Sequence, residues 1–219
     1  MWRCGVPCWS RRQCCVLVTC CSKIVASLEG ARRHERFGID TLPAVASRAW
    51  LAVCHAELGR FAEGRALGEE GLQIAKAVAH PGSLMHASWG IGVLFLRQGD
   101  LPRALPRLER AVRICQDADL PLFFPRLAAT LGVAYTLGGR VADAVPLLTQ
   151  AMERAMATAR GEYPALCRLL LGEAQVLAGR LEEAQAVLFT AVKLYRAMDM
   201  PFWIPQAEAA LGYGGVGPR

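Results

Sequence analysis

The chain has 219 residues, 53% of them hydrophobic and only 7% aromatic, which favours an all-α protein over a sheet protein. Its formal charge of +6 is concentrated at the start: Arg3, Arg11, Arg12 and Lys23 face no acid within residues 1–23, and removing them leaves +2 for the rest. That excludes the concentrated positive field of a nucleic-acid binder from the body of the chain.

Residues 1–23, MWRCGVPCWSRRQCCVLVTCCSK, hold six of the nine cysteines. The apolar run from Val16 to Thr19 is too short for a secretory signal. A lipoprotein reading would place Leu17, Val18 and Thr19 before Cys20, but threonine there is a poor match. A zinc reading lacks any C-x-x-C pair and would need adjacent cysteines as ligands. The expectation is a disordered or wrongly framed leader, set off by the change in composition near Ile24. Cys54, Cys115 and Cys167 stand alone on helical apolar stripes and read as small buried hydrophobes. They point to a reducing, cytoplasmic setting.

From residue 24 the chain reads as one repeat domain, 24–212, beginning with the tail of a helix and a loop. A ladder then starts. Gly59, Gly99, Gly139 and Gly179 are 40 residues apart and mark the break between two helices of each copy. Seven residues before each stand Ala52, Gly92, Gly132 and Gly172, preceded by Leu51, Ile91, Leu131 and Leu171. After each break come Gly64, Ala104, Ala144 and Ala184, then Gly68, Leu108, Leu148 and Leu188, then Gly71, Ala111, Ala151 and Ala191. These columns predict four full helix pairs near 43–80, 81–120, 121–160 and 161–200, a truncated fifth, and a flexible tail over 213–219. Pro81, Pro121 and Pro201 share one register at the copy boundaries, and Asp100 with Pro102 reads as a capped helix start. The fold expected is all-α: a right-handed solenoid of antiparallel helix pairs with a 40-residue period.

The first copy carries Gly64, Gly68 and Gly71 where later copies have alanine or leucine. At about 1 kcal/mol each relative to alanine in a helix interior, they make its second helix the most labile by propensity. Residues 77–96 contain no charged side chain, but Pro81, Gly82 and Ser83 interrupt them, so a buried repeat junction is expected rather than a membrane span.

The stretches GIGVLFLRQGDLPRALPRLERAV and TLGVAYTLGGRVADAVPLLTQAM place Ile-Gly or Leu-Gly, an aromatic, Ala and Leu at the offsets of a tetratricopeptide repeat, which the chain resembles. The usual repeat is 34 residues, so a period of 40 implies longer helices or linkers. More narrowly, ASLEGARRHERFGI, AELGRFAEG and RLEEAQAVL resemble the C-terminal repeat region of bacterial signalling proteins that join a nucleotide cyclase domain, an ATPase domain and such repeats. The resemblance implies a non-catalytic scaffold or regulatory module that holds a protein or peptide in a concave groove. The alternatives are part of a cyclase polypeptide, or of an ATPase-type transcription regulator, whose catalytic or DNA-binding domain lies outside this chain.

Carried over by register, the groove positions are His86, Trp89, Val93, Leu96 and Arg97 in the second copy. In the third they are Arg126, Ala129, Val133 and Thr136, and in the fourth Leu166, Leu169, Glu173 and Val176. Trp89 and Arg97 are the anchors expected, as an aromatic and an arginine on one helical face; the competing reading buries that face between longer helices. No catalytic, cofactor or metal site is expected. The P-loop pattern G-x-x-x-x-G-K-[ST] is absent, and His34, His55, His80 and His86 form no metal spacing. The expected partner is a protein or peptide, with neither nucleic acid nor membrane. Uncapped repeat ends suggest self-association.

Overall fold

The computed structural model describes residues 11–157 and 163–215, all of whose regular elements are helical. Ten α-helices follow one another: α1 Arg11–Ser27, α2 Pro43–Glu57, α3 Phe61–Val78, α4 Pro81–Arg97, α5 Leu101–Asp117, α6 Phe124–Leu137, α7 Val141–Ala157, α8 Tyr163–Leu177, α9 Leu181–Ala197 and α10 Ile204–Gly215. A short 3-10 helix, Gly30–His34, links α1 to α2. The chain divides into two compact units that part between Leu120 and Pro121.

Within the first unit α2 packs antiparallel to α3 and α4 to α5, with α4 laid against both α2 and α3 and α1 against α2. In the second unit α6 pairs with α7 and α8 with α9, and α10 packs on α8 and α9.

The inter-helix glycines have the backbone their spacing predicts. Gly59, Gly99, Gly139 and Gly179 sit at φ +73 to +79, in the left-handed region. In each copy the residue after the glycine donates its N–H back to the carbonyl at the end of the first helix, Arg60 to His55, Asp100 to Phe95, Arg140 to Tyr135 and Arg180 to Gln175, at 2.8–2.9 Å. This closes the first helix with a Schellman turn. The cap at Asp100 also forms, its Oδ1 accepting the Arg103 N–H at 3.1 Å.

A second set of left-handed residues ends α3, α5 and α9, at Ala79, Asp119 and Asp199. Aspartate tolerates this conformation and alanine does not, since its Cβ crowds the following carbonyl. Ala79→Gly is therefore expected to stabilise the chain by about 1 kcal/mol in urea unfolding.

The repeated small and large columns meet each other. A Cβ added to Gly132 would lie 2.6 Å from Leu148 Cγ, and one added to Gly92 would lie 2.6 Å from Leu108 Cδ2. Gly172 stands in the same relation to Leu188. The first copy inverts the pair: Ala52 replaces the glycine, Gly68 replaces the leucine, and Ile91 from α4 approaches the space that remains. Gly64 is likewise filled against by Leu94, and Gly71 by Arg48. The three glycines of α3 are thus buried contact points between helices.

Two expectations about the ends need correction. Residues 11–23 are helical, because Cys14, Cys21 and Leu28 recur every seven residues and bury a stripe of the α1 segment against α2. Residues 1–10 of the expected leader lie outside the described residues. The tail expected from 213 is helical as far as Gly215, since α10 continues to that residue; residues 216–219 lie outside the described residues.

Candidate protein-binding surface

The first helices of the pairs, α2, α4, α6 and α8, carry the positions at which a groove was expected. On α4 these positions are core. Trp89 is 1% exposed and meets Trp50 of α2 edge to face, with ring centroids 4.9 Å apart. Val93 and Leu96 are buried, and so is His86, whose Nδ1 lies 3.0 Å from the Gly82 carbonyl oxygen. The cause is the close approach of α2 and α4. A Cβ on Gly90 would stand 2.8 Å from Ala49 Cα, so the two backbones nearly touch and Trp89 is enclosed between them. The expected exposed anchor Trp89 is corrected to a core residue.

Arg97 is corrected in the same way. Its Nε donates to Glu57 Oε1 at 2.6 Å, and the two side chains are only 9% and 11% exposed. Glu57 and Arg97 occupy the same column one period apart, so the pair ties the ends of α2 and α4. Opposite charges 40 residues apart were the signal for it in the sequence.

In the second unit Ala129 and Val133 of α6 and Leu166 and Leu169 of α8 are buried. Four candidate positions keep a surface: Arg126, Thr136, Glu173 and Val176 are half-buried. The Arg126 guanidinium lies 5.8 Å from the Phe123 ring centroid. The Thr136 hydroxyl donates to its own helix at the Gly132 carbonyl, 2.8 Å away, and so is committed to the helix backbone. Glu173 accepts from Gln206 Nε2 of α10 at 3.5 Å. Burial pushes the Glu173 carboxyl up to about 7, outweighing the hydrogen bond that favours its charged form.

That raised carboxyl predicts a pH dependence. The unfolded chain releases the Glu173 proton near pH 4 and the folded chain near 7, so this group's stabilising effect is largest at low pH and is lost as pH rises towards 7. Glu173→Gln is expected to be neutral near pH 4 and to stabilise by on the order of 1–2 kcal/mol at pH 8, below the full value of the shift because the side chain keeps contact with water. Thermal unfolding of both proteins at the two pH values checks it.

Arg48, 1% exposed, donates to Glu70 at 2.8 Å and to the Ala44 carbonyl at 3.1 Å, and holds Glu70 below the usual carboxylate range. Ser83 Oγ lies 3.3 Å from His80 Nδ1, and His80 Nε2 lies 3.1 Å from Arg36; burial and the Arg36 charge lower the His80 pKa against the opposing pull of Asp40. The Ser83 hydroxyl accepts the Leu42 N–H at 2.9 Å. Burial lowers the His55 pKa, as suits a neutral imidazole packed beside α3. Among the described residues no cluster of three or more His, Cys, Asp or Glu is placed to hold a metal, and no helix is long and apolar enough to cross a membrane.

Comparisons with known proteins agree with this architecture. Residues 44–117 match one tetratricopeptide-repeat model and residues 165–188 match another. Comparison with curated protein sequences finds no match. Among solved structures, the chain is similar to the nearly identical TPR-like repeats of a candidate kinesin light chain from Podosopora anserina. That likeness has a TM-score of 0.57 at 23% identity, over 87% of this chain and 89% of the other. A point variant of the same repeats gives 0.60 at 22%, over 86% and 89%. Aspartyl phosphate phosphatase F from Bacillus subtilis gives 0.55 at 11% identity, over 94% of this chain and 59% of the phosphatase. These likenesses are of fold.

Proposed function

We propose, from a chain that carries tetratricopeptide repeats in both of its units, that it is a non-catalytic scaffold whose second unit binds a peptide segment of a partner protein. The repeat matches support this, because stacked helix pairs of this kind generally serve as interaction modules. The observation that carries the location is that Arg126, Glu173 and Val176 stay half-exposed on α6 and α8, whereas α4 has surrendered its corresponding face to packing. A peptide with an acidic residue near Arg126 and a basic residue opposite Glu173, which would draw the raised carboxyl into its charged form, suits these groups.

Selection of a displayed random-peptide library on the purified chain tests the reading. Sequences that bind, and that lose at least about tenfold affinity against both Arg126→Glu and Glu173→Lys, are expected. A library that yields no binder, or binders indifferent to both substitutions, contradicts it.

The narrower reading places the module in a bacterial signalling polypeptide, beside a cyclase or ATPase domain or in an ATPase-type transcription regulator. What supports it is the wording of ASLEGARRHERFGI, AELGRFAEG and RLEEAQAVL. Translating the DNA on either side of the coding segment tests it: a continuous cyclase, ATPase or DNA-binding sequence supports the reading, and unrelated sequence removes it.

A further inference from the structure

Three thiols converge where α1 lies on α2. Cys14 and Cys21 stand seven residues apart on one face of α1, and Cys54 comes from α2; all three are buried, Cys14 at 1% and Cys54 at 2% exposure. The Cys54 and Cys14 side chains share a hydrogen bond, so their sulfurs are already neighbours across the interface. The helices are separate in sequence, so joining the two sulfurs would close a covalent link from α1 to the first helix pair. Cys15 and Cys20, on the same helix, are exposed.

We infer that Cys14 and Cys54 form an oxidation site, which a small-molecule disulfide of the glutathione class converts to an intramolecular disulfide that pins α1 to α2.

The chemistry balances in two exchanges. The Cys14 thiolate attacks one sulfur of glutathione disulfide, whose S–S bond breaks and releases one glutathione as thiolate. The Cys54 thiolate then attacks the Cys14 sulfur of the mixed disulfide, and the second glutathione leaves. Two protein thiols are oxidised, one glutathione disulfide is reduced to two glutathiones, and the two thiol protons pass to the departing thiolates. Burial and the neighbouring thiols push Cys54 up to about 12, which makes it a slow nucleophile while the interface stays closed. Oxidation therefore proceeds through transient opening of α1. Once made, the link is shielded from reductant by the same burial.

The test treats the full chain with glutathione disulfide at pH 8, then blocks remaining thiols with iodoacetamide in denaturant, digests and maps the peptides. The expected product joins the peptides of Cys14 and Cys54, with a mass lower by about 2 Da than their sum, and reverts with dithiothreitol. Amide hydrogen exchange in α1 slows by about tenfold or more in the oxidised chain, while that in α7 is unchanged. Recovery of Cys14 and Cys54 as alkylated thiols, or with any other partner, overturns the inference. Cys14→Ser and Cys54→Ser should each abolish the link. Should either fail to fold, the Cys15→Ser, Cys20→Ser double variant, altered only at exposed positions, should still form it; loss of the link there also overturns the assignment.

Discussion

Replacing Trp89 with alanine is expected to cost about 3–5 kcal/mol of stability, among the largest effects of any single substitution in this chain. The indole is 1% exposed and meets Trp50 edge to face at 4.9 Å. The void cannot close cheaply, because the α2 and α4 backbones are already in contact where Gly90 faces Ala49. Relaxation would need α4 to move as a unit, away from α3 and α5 as well. Urea unfolding with a fluorescence signal checks the figure. A change below about 1 kcal/mol would mean that the ring is peripheral and would return Trp89 to the role of a surface anchor.

Arg97→Ala is expected to cost about 3 kcal/mol, because it leaves the Glu57 carboxylate without the guanidinium 2.6 Å away in a site where both side chains are about nine-tenths buried. Most of that cost is the desolvated charge left behind and not the intrinsic worth of the pair. The double variant Glu57→Leu, Arg97→Met should accordingly recover much of the stability that the single change removes. The comparison separates two accounts of Arg97. If it anchored a partner, the single variant would lose peptide affinity at unchanged stability, and the double variant would not be rescued.

The parts of the fold that repeat were legible in the sequence. Gly59, Gly99, Gly139 and Gly179 declare a left-handed backbone by residue type, and the Gly132 and Leu148 columns keep their spacing, although it is the structure that shows these two columns meeting. What failed depended on contacts that the period does not encode. The face of α4 was assigned to a groove because register gives the side on which Trp89 lies; it does not say how near α2 comes. That distance is fixed by Gly90 and Ala49, which belong to none of the repeated columns. The helix α1 was missed because its buried stripe is built partly from cysteine, and six cysteines in a short segment read as an oddity of composition before they read as a seven-residue spacing. Of the candidate surface, Arg126 and Glu173 follow from register alone, but Gln206, which hydrogen-bonds Glu173 from α10, lies outside the repeated columns and gives no signal.

A small residue in one column makes room for a large one in the other, and a double-mutant cycle at Gly132 and Leu148 measures that coupling. Gly132→Ala brings a Cβ within 2.6 Å of Leu148 Cγ and should cost about 1–3 kcal/mol by overpacking. Leu148→Gly opens a cavity at a fully buried site and should cost more. The double variant reproduces the Ala52 and Gly68 pairing of the first copy, so the two losses should fall short of adding by about 1–2 kcal/mol. Strict additivity in urea unfolding would contradict the claim that these columns pack against each other.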